Sequence, residues 1–306
     1  MTYEAIIIGG GPAAISAALY MGRYKKKTAV ITDSFGGLAG IAGEVENYPG
    51  FAKIDGFELI DRAVKQIRDL SDIDIKEGHK VDGIAKVNNL FEVTTENGEY
   101  DSKGIIICAG MQPRRLGIQG EDNLIGKGLS YCATCDGPLS KNKNVVVIGG
   151  GRSATESAID LAKIAKKITI INIGKNLSGE QITLDKLKKS DNVFIVNNAN
   201  TKDFILEKGF IEGVKYENRK DGKIKKIPAQ MVFVEIGQIP NSKPFEELVK
   251  TNKQKEIIIN HQTNETSQAG IYASGDITNV AFKQIIIAAG EGAKAAMSLN
   301  RYLESR

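Results

Sequence analysis

Twice along this chain a short run of branched aliphatic residues leads into three consecutive glycines and then into a stretch with helical spacing. The first copy reads as a buried strand over residues 3–8, the turn Gly9-Gly10-Gly11-Pro12-Ala13-Ala14, an alanine-rich helix through about Arg23 and a strand over 28–32. The second has a strand over 144–148, the turn Gly149-Gly150-Gly151-Arg152-Ser153-Ala154, a helix through about Ala165 and a strand over 168–172. One such glycine pattern arises by chance in a chain with 33 glycines, whereas two in strand-turn-helix context, 140 residues apart (149 − 9), do not. In each, the first glycine makes a tight turn, the second lets a ligand approach the backbone, and the small third residue, Ala14 or Ala154, lets helix pack on strand. A pyrophosphate then rests on the helix N-terminus. The fold class that follows is α/β, with two Rossmann-like, three-layer nucleotide-binding domains.

The length of 306 residues suits two domains of ordinary size, each with its own core. Two polar segments, 112–119 (QPRRLGIQ) and 238–244 (QIPNSKP), read as connectors, the latter holding two of the seven prolines. The C-terminal part lacks a glycine fingerprint of its own and is most economically read as returning to complete the first domain. The expected division is 1–115 and 242–306 for a discontinuous first domain and 116–241 for the second.

Lys+Arg 41 against Asp+Glu 37 gives a net charge of +4, scattered along the chain, so nothing calls for nucleic acid. The two basic runs, Lys25-Lys26-Lys27 and Lys223–Lys226, are short and read as solvated surface. No stretch of 18 apolar residues exists, and the N-terminal apolar run enters the glycines without a basic leader or a cleavage site, so no membrane role and a cytoplasmic location are expected. Three cysteines cannot form a disulfide framework, and two are spaced Cys-x-x-Cys.

That pair lies in Tyr131-Cys132-Ala133-Thr134-Cys135-Asp136-Gly137. A zinc site would need a second pair of ligands, and only Cys108, His79 and His261 remain, so no metal is expected. A redox pair fits, because two intervening residues let the sulfurs close a short ring that opens by thiolate exchange. Asp136 offers a proton donor and acceptor beside it; the competing reading is a surface carboxylate capping the turn before Gly137. Cys108 follows an apolar run and reads as a small buried residue at a strand end, where burial keeps a thiol inert, rather than as a third redox group.

Taken together, GGGPAA, Glu46-Asn47-Tyr48-Pro49-Gly50, CATCDG, GGGRSA, Gly275-Asp276 and Lys283-Gln284-Ile285 resemble the low-molecular-weight thioredoxin reductase family over the whole chain. The resemblance implies FAD lying extended on the first domain, with its phosphates over Gly9, Gly11, Pro12, Ala13, Ala14 and the following helix. It implies further cofactor contacts at Gly37, Leu38, Asn47, Val81, Ala109, Gly110, Gly275, Asp276, Gln284 and Ile285. It also implies that Cys135 is the sulfur nearer the flavin, that Cys132 exchanges with a thioredoxin or glutaredoxin-like partner, and that Asp136 handles protons. Such enzymes are typically homodimers.

The chain departs from the family pattern at several points. Asp33, following Thr32, stands for the usual ribose-binding acid, and Leu38 stands where glutamine is common. The second nucleotide site, Gly149, Gly151, Arg152, Ser153 and Ala154, departs most. Members using NADPH follow its second strand with a His-Arg-Arg cluster and a further arginine, because guanidinium forks bind the 2′-phosphate bidentately. Here the segment reads Asn172-Ile173-Gly174-Lys175-Asn176-Leu177-Ser178, with Lys175 its only cation. NADPH is therefore disfavoured, leaving reduced ferredoxin, a reduced deazaflavin or NADH as the donor. Two other functions compete: a ferredoxin-NAD(P) reductase or NAD(P)H oxidase, against which the dithiol argues, and a non-catalytic flavin-binding protein. The alkyl hydroperoxide reductase flavoprotein shares these motifs but carries an N-terminal thioredoxin-like extension that is expected to be absent here.

Overall fold

The structure, a computed structural model, describes residues 2–42 and 44–305. The chain divides into two compact units, one comprising residues up to Gln112 and from Ile239 onward, the other Pro113–Gln238. The boundaries expected from the connectors stand three residues further along at each crossing.

The first unit is built on a five-stranded parallel sheet in the order Ile271–Ala273, Ile105–Ile107, Ala5–Ile8, Thr28–Thr32, Ile73–Glu77. Its central strands are continuous runs of Ile, Val and Ala because both faces are covered, which removes the apolar/polar alternation of a half-exposed strand. One face packs the helices Pro12–Arg23 and Ile285–Glu304 through Ala14, Ala17, Ala18, Ala295 and Ala296, all without exposed surface. Small residues set that close crossing: a Cβ on Gly292 would stand 2.1 Å from the Ala13 carbonyl oxygen. The other face packs Phe91, Val93, Phe245 and Ile257. The strand expected over residues 3–8 breaks at Glu4, whose carboxylate accepts the Lys27 N–H; Tyr3 pairs with Ser102 in a separate four-stranded sheet.

The second unit repeats the same plan. Its parallel sheet runs Leu129–Ser130, Met231–Val234, Asn144–Ile148, Lys167–Asn172, Val193–Asn197, and a three-stranded antiparallel sheet of Ala199–Glu207, Phe210–Asn218 and Ile224–Pro228 adjoins in sequence. The helix Arg152–Ala162 stops three residues before the expected Ala165. There the Asn192 amide donates to the Ala162 and Ala165 carbonyls at 3.0 and 3.1 Å, satisfying acceptors that a helix end leaves open. Burying each of the fully enclosed isoleucines in these sheets contributes about 1.5–3 kcal/mol. Among the described residues no helix is long and apolar enough to cross a membrane.

Candidate functional site

The two glycine turns correspond bond by bond. Gly9 N–H donates to Ile31 and Gly149 N–H to Ile171, each at 2.9 Å, tying the turn to the second strand. Cys108 N–H donates to Ile8 and Glu235 N–H to Ile148, each at 2.7 Å, tying it to the strand on the other side. Both first glycines hold left-handed backbone, φ +123° and +143°, and a Cβ there would stand 2.3 Å from the Cys108 carbonyl oxygen or 2.1 Å from that of Glu235. At Gly11 and Gly151 an added Cβ meets nothing within 4 Å. That open space, at the start of a helix with no side-chain cap, is what the close approach of a phosphate requires. Ala14 and Ala154 are fully buried between helix and sheet.

Around the first turn, Gly36 N–H donates to the Gly10 carbonyl at 2.9 Å, bringing Gly37 and Leu38 over the glycines. Asp33 is exposed just past the second strand, with Gly78 N–H on its backbone carbonyl. Asn47 and Gln284, 237 residues apart, meet through a 3.1 Å hydrogen bond from the Asn47 amide. Ile285 begins the C-terminal helix. Ala109 and Gly110 are held by Asn241, whose amide donates to the Ala109 carbonyl at 2.7 Å and whose N–H donates to Gly110. Gly275 leads to Asp276, whose carboxyl burial pushes above its usual range, opposed by the nearby Lys283 ammonium. Lys283 is itself held by the Asp276 and Thr278 carbonyls and pairs with Glu256 at 3.0 Å. Val81 opens a strand of the four-stranded sheet and packs against the opposite core. Cys108 is buried with its Sγ 3.1 Å from Ser274 Oγ, and burial pushes the thiol up to about 12.

In the second unit Cys132 and Cys135 form a disulfide, their Cα atoms 5.3 Å apart, across the one-turn helix Ala133–Asp136. The Cys135 N–H donates to Cys132 Sγ at 3.1 Å and the Cys132 N–H to Ser130 Oγ at 3.0 Å. Asp136 is half-buried beside them; its carboxylate makes no capping bond at the turn that follows. Two carboxylates that sequence reasoning missed brace this turn. Glu121, 5% exposed, accepts the N–H groups of Leu116, Gly117 and Ile118 at 2.8, 2.8 and 3.3 Å and the hydroxyl of Tyr131, over whose ring the Arg115 guanidinium lies at 4.1 Å. Burial, then the Glu121 bond, push the Tyr131 phenol well above its usual range. Glu235, one residue past the strand Met231–Val234, accepts the hydroxyls of Ser153 and Ser157 and the N–H of Ala133, which lies between the cysteines. Burial pushes its carboxyl up while those three donors pull the other way. Their local sequence marks only a position, since Glu121 directly follows a turn-forming glycine, Gly120, and Glu235 directly follows a fully apolar strand, and neither names a partner.

The segment after the second strand folds onto the second glycine turn. Ser178 N–H donates to the Gly150 carbonyl at 2.7 Å, the counterpart of Gly36 on Gly10. Asn172 is buried, with its amide on the Asn176 carbonyl and Asn197 and its oxygen taking the Gly174 N–H. Arg152 pairs with Glu156 at 2.8 Å and Glu180 at 3.2 Å.

Among solved structures, the Lactococcus lactis thioredoxin reductase matches 99% of this chain and all of its own with a TM-score of 0.90 and 31% identity. The thioredoxin reductase of T. acidophilum matches 99% of each chain with a TM-score of 0.87 and 36% identity. Residues 3–292 match the family described as pyridine nucleotide-disulphide oxidoreductase. The chain belongs to that family, among the low-molecular-weight thioredoxin reductases. It is also 38% identical over 302 residues to a subunit of the alkyl hydroperoxide reductase of Staphylococcus aureus; that match takes in 98% of this chain and spans about 59% of the curated relative's length. As a family member the chain is an FAD flavoprotein. The residues of the first unit fit the cofactor, since Gly9 could carry no side chain, Gly11 opens onto free space and the helix start after it carries no acid in its first turn.

Proposed function

We propose that this reductase-family chain passes electrons from FAD through Cys132 and Cys135 to the disulfide of a thioredoxin or glutaredoxin-like protein. The observation that carries the reading is the Cys132–Cys135 disulfide closed across a single helical turn in a chain of this family. FAD, when bound, supplies the two-electron carrier. Gly9, Gly11 and the residues Pro12, Ala13 and Ala14 hold its phosphates, Asp33 its ribose, and Gly37, Leu38, Asn47, Val81, Ala109, Gly110, Gly275, Asp276, Gln284 and Ile285 its remaining length.

In the reduced enzyme the Cys132 thiolate attacks one sulfur of the partner disulfide, forming a mixed disulfide and expelling the other sulfur as a thiolate that takes up a proton. Cys135 then attacks Cys132, which releases the second partner thiol and restores the Cys132–Cys135 bond. Two electrons leave the dithiol, and Asp136 holds and passes on the proton released as Cys135 ionises. The protein works as a homodimer in the cytoplasm.

NADPH is a poor donor in this reading, because Asn172, Ile173, Gly174 and Ser178 replace the histidine and arginines that would hold a 2′-phosphate, and each charge-assisted bond is worth about 1.5–3 kcal/mol. Reduced ferredoxin, a reduced deazaflavin or NADH takes its place. Anaerobic titration of the holoenzyme with each of the four donors, followed by oxidised thioredoxin, tests the reading. Flavin reduced by one of the three favoured donors and reoxidised by thioredoxin supports it; rapid reduction by micromolar NADPH contradicts the donor assignment, and flavin that no disulfide substrate reoxidises contradicts the function.

A further inference from the structure

The two glycine turns differ at one position that changes the local charge. The residue whose N–H ties the turn to its first strand, and whose carbonyl crowds the first glycine, is Cys108 in the first unit and Glu235 in the second. In the cofactor-binding unit this place holds a small neutral side chain turned to Ser274. In the second unit it holds a carboxylate, at the carboxyl end of the sheet, where open α/β folds take their ligands.

We propose that Glu235, whose carboxylate lies along the first two turns of the helix Arg152–Ala162, is an internal anion that makes the second nucleotide fold reject the pyrophosphate of nicotinamide dinucleotides, NADH as well as NADPH. The Ser153 hydroxyl, on the second residue of that helix and so within reach of a phosphate resting on its N-terminus, donates instead to Glu235. Ser157, one turn further on, donates to the other carboxylate oxygen at 3.1 Å, and Ala133 N–H adds a third bond. The cation that could offset an added diphosphate, Arg152, is already shared by Glu156 and Glu180. A pyrophosphate approaching Gly151 therefore meets a hydroxyl already bonded to an acid and a carboxylate of its own sign, in a setting where burial strengthens the repulsion. Both turns thus leave space for a phosphate, and only the second sets a carboxylate beside it.

This inference rests on the donor reading and narrows it, leaving reduced ferredoxin or a reduced deazaflavin and removing NADH, and its test separates the two. FAD-loaded wild type, Glu235→Gln and Glu235→Ala are titrated calorimetrically with ADP-ribose, which carries the pyrophosphate without nicotinamide or 2′-phosphate, and with adenosine, which carries no phosphate. Glu235→Gln keeps the volume of the side chain and one acceptor oxygen, and its amide can donate to a serine hydroxyl that turns to accept, so the turn stays folded even where the alanine variant does not. The expected result is ADP-ribose bound at least about tenfold more tightly by the variants, with adenosine affinity unchanged within about twofold. ADP-ribose affinity that stays the same or falls overturns the role of Glu235, and so does a parallel gain for adenosine, which would mean only that space had opened. Measured alongside, rapid reduction of wild-type flavin by micromolar NADH overturns the inference and leaves the reading against NADPH standing, whereas rapid reduction by micromolar NADPH overturns both.

Discussion

Replacing Gly11 with alanine is expected to separate cofactor binding from folding. Its backbone, at φ −84° and ψ −176°, is open to any residue, and the added Cβ meets nothing within 4 Å. The apoprotein is therefore expected to keep its stability within about 0.5 kcal/mol, or to gain slightly from a less flexible unfolded chain. In the proposed cofactor site the same methyl group would fill the space left for the FAD pyrophosphate at the start of the helix. Losing two charge-assisted bonds at about 1.5 kcal/mol each weakens FAD by about 3 kcal/mol, on the order of a hundredfold. Gly9→Ala is the contrasting control. Its Cβ would stand 2.3 Å from the Cys108 carbonyl oxygen at φ +123°, so the unit itself is expected to lose about 2–4 kcal/mol. Urea unfolding of the apoproteins and fluorescence titration with FAD measure both quantities. A Gly11→Ala protein that binds FAD as tightly as wild type, or whose apo form is as destabilised as Gly9→Ala, would rule out a phosphate site at Gly11.

Further outcomes follow from the dithiol and its supports. Cys132→Ser and Cys135→Ser are each expected to abolish thioredoxin reduction with flavin content intact, and only Cys135→Ser, which leaves Cys132, should trap a substrate disulfide as a stable adduct on denaturing gels. Glu121→Ala leaves three backbone N–H groups and the Tyr131 hydroxyl without their acceptor and should destabilise the protein by about 3–5 kcal/mol in urea, against about 1 kcal/mol for Tyr131→Phe. Because burial raises the folded-state affinity of Glu235 for its proton, its ionisation costs stability as pH rises from the unfolded carboxylate range through the raised folded value. Glu235→Gln should therefore gain stability relative to wild type on the alkaline side of that window, with the gap closing on the acid side; a gap that widens on acidification contradicts the assigned direction.

The two-fold plan is legible in the sequence because each fingerprint is local: strand, glycines and helix are consecutive, and Ala14 and Ala154 report their burial by being small. The dithiol turn is legible for the same reason. Local reading stops where a bond spans the chain. Glu235 and Ser153 are 82 residues apart, and nothing in either segment says that the end of one strand abuts the start of the other's helix. Glu121 reads as an ordinary surface acid until the backbone of residues 116–118 curls around it. The break at Glu4 and the early stop at Ala162 are likewise decided by distant partners, Lys27 and Asn192, that periodicity does not register.

Whether flavin and Cys132–Cys135 form one electron path is decided by anaerobic dithionite titration of the holoenzyme followed spectrophotometrically. One path requires uptake of about four electrons per chain, two for the flavin and two for the disulfide, falling to about two in the Cys132→Ser/Cys135→Ser double variant. Uptake of only about two by the wild-type protein, with the disulfide left intact beside fully reduced flavin, would contradict it.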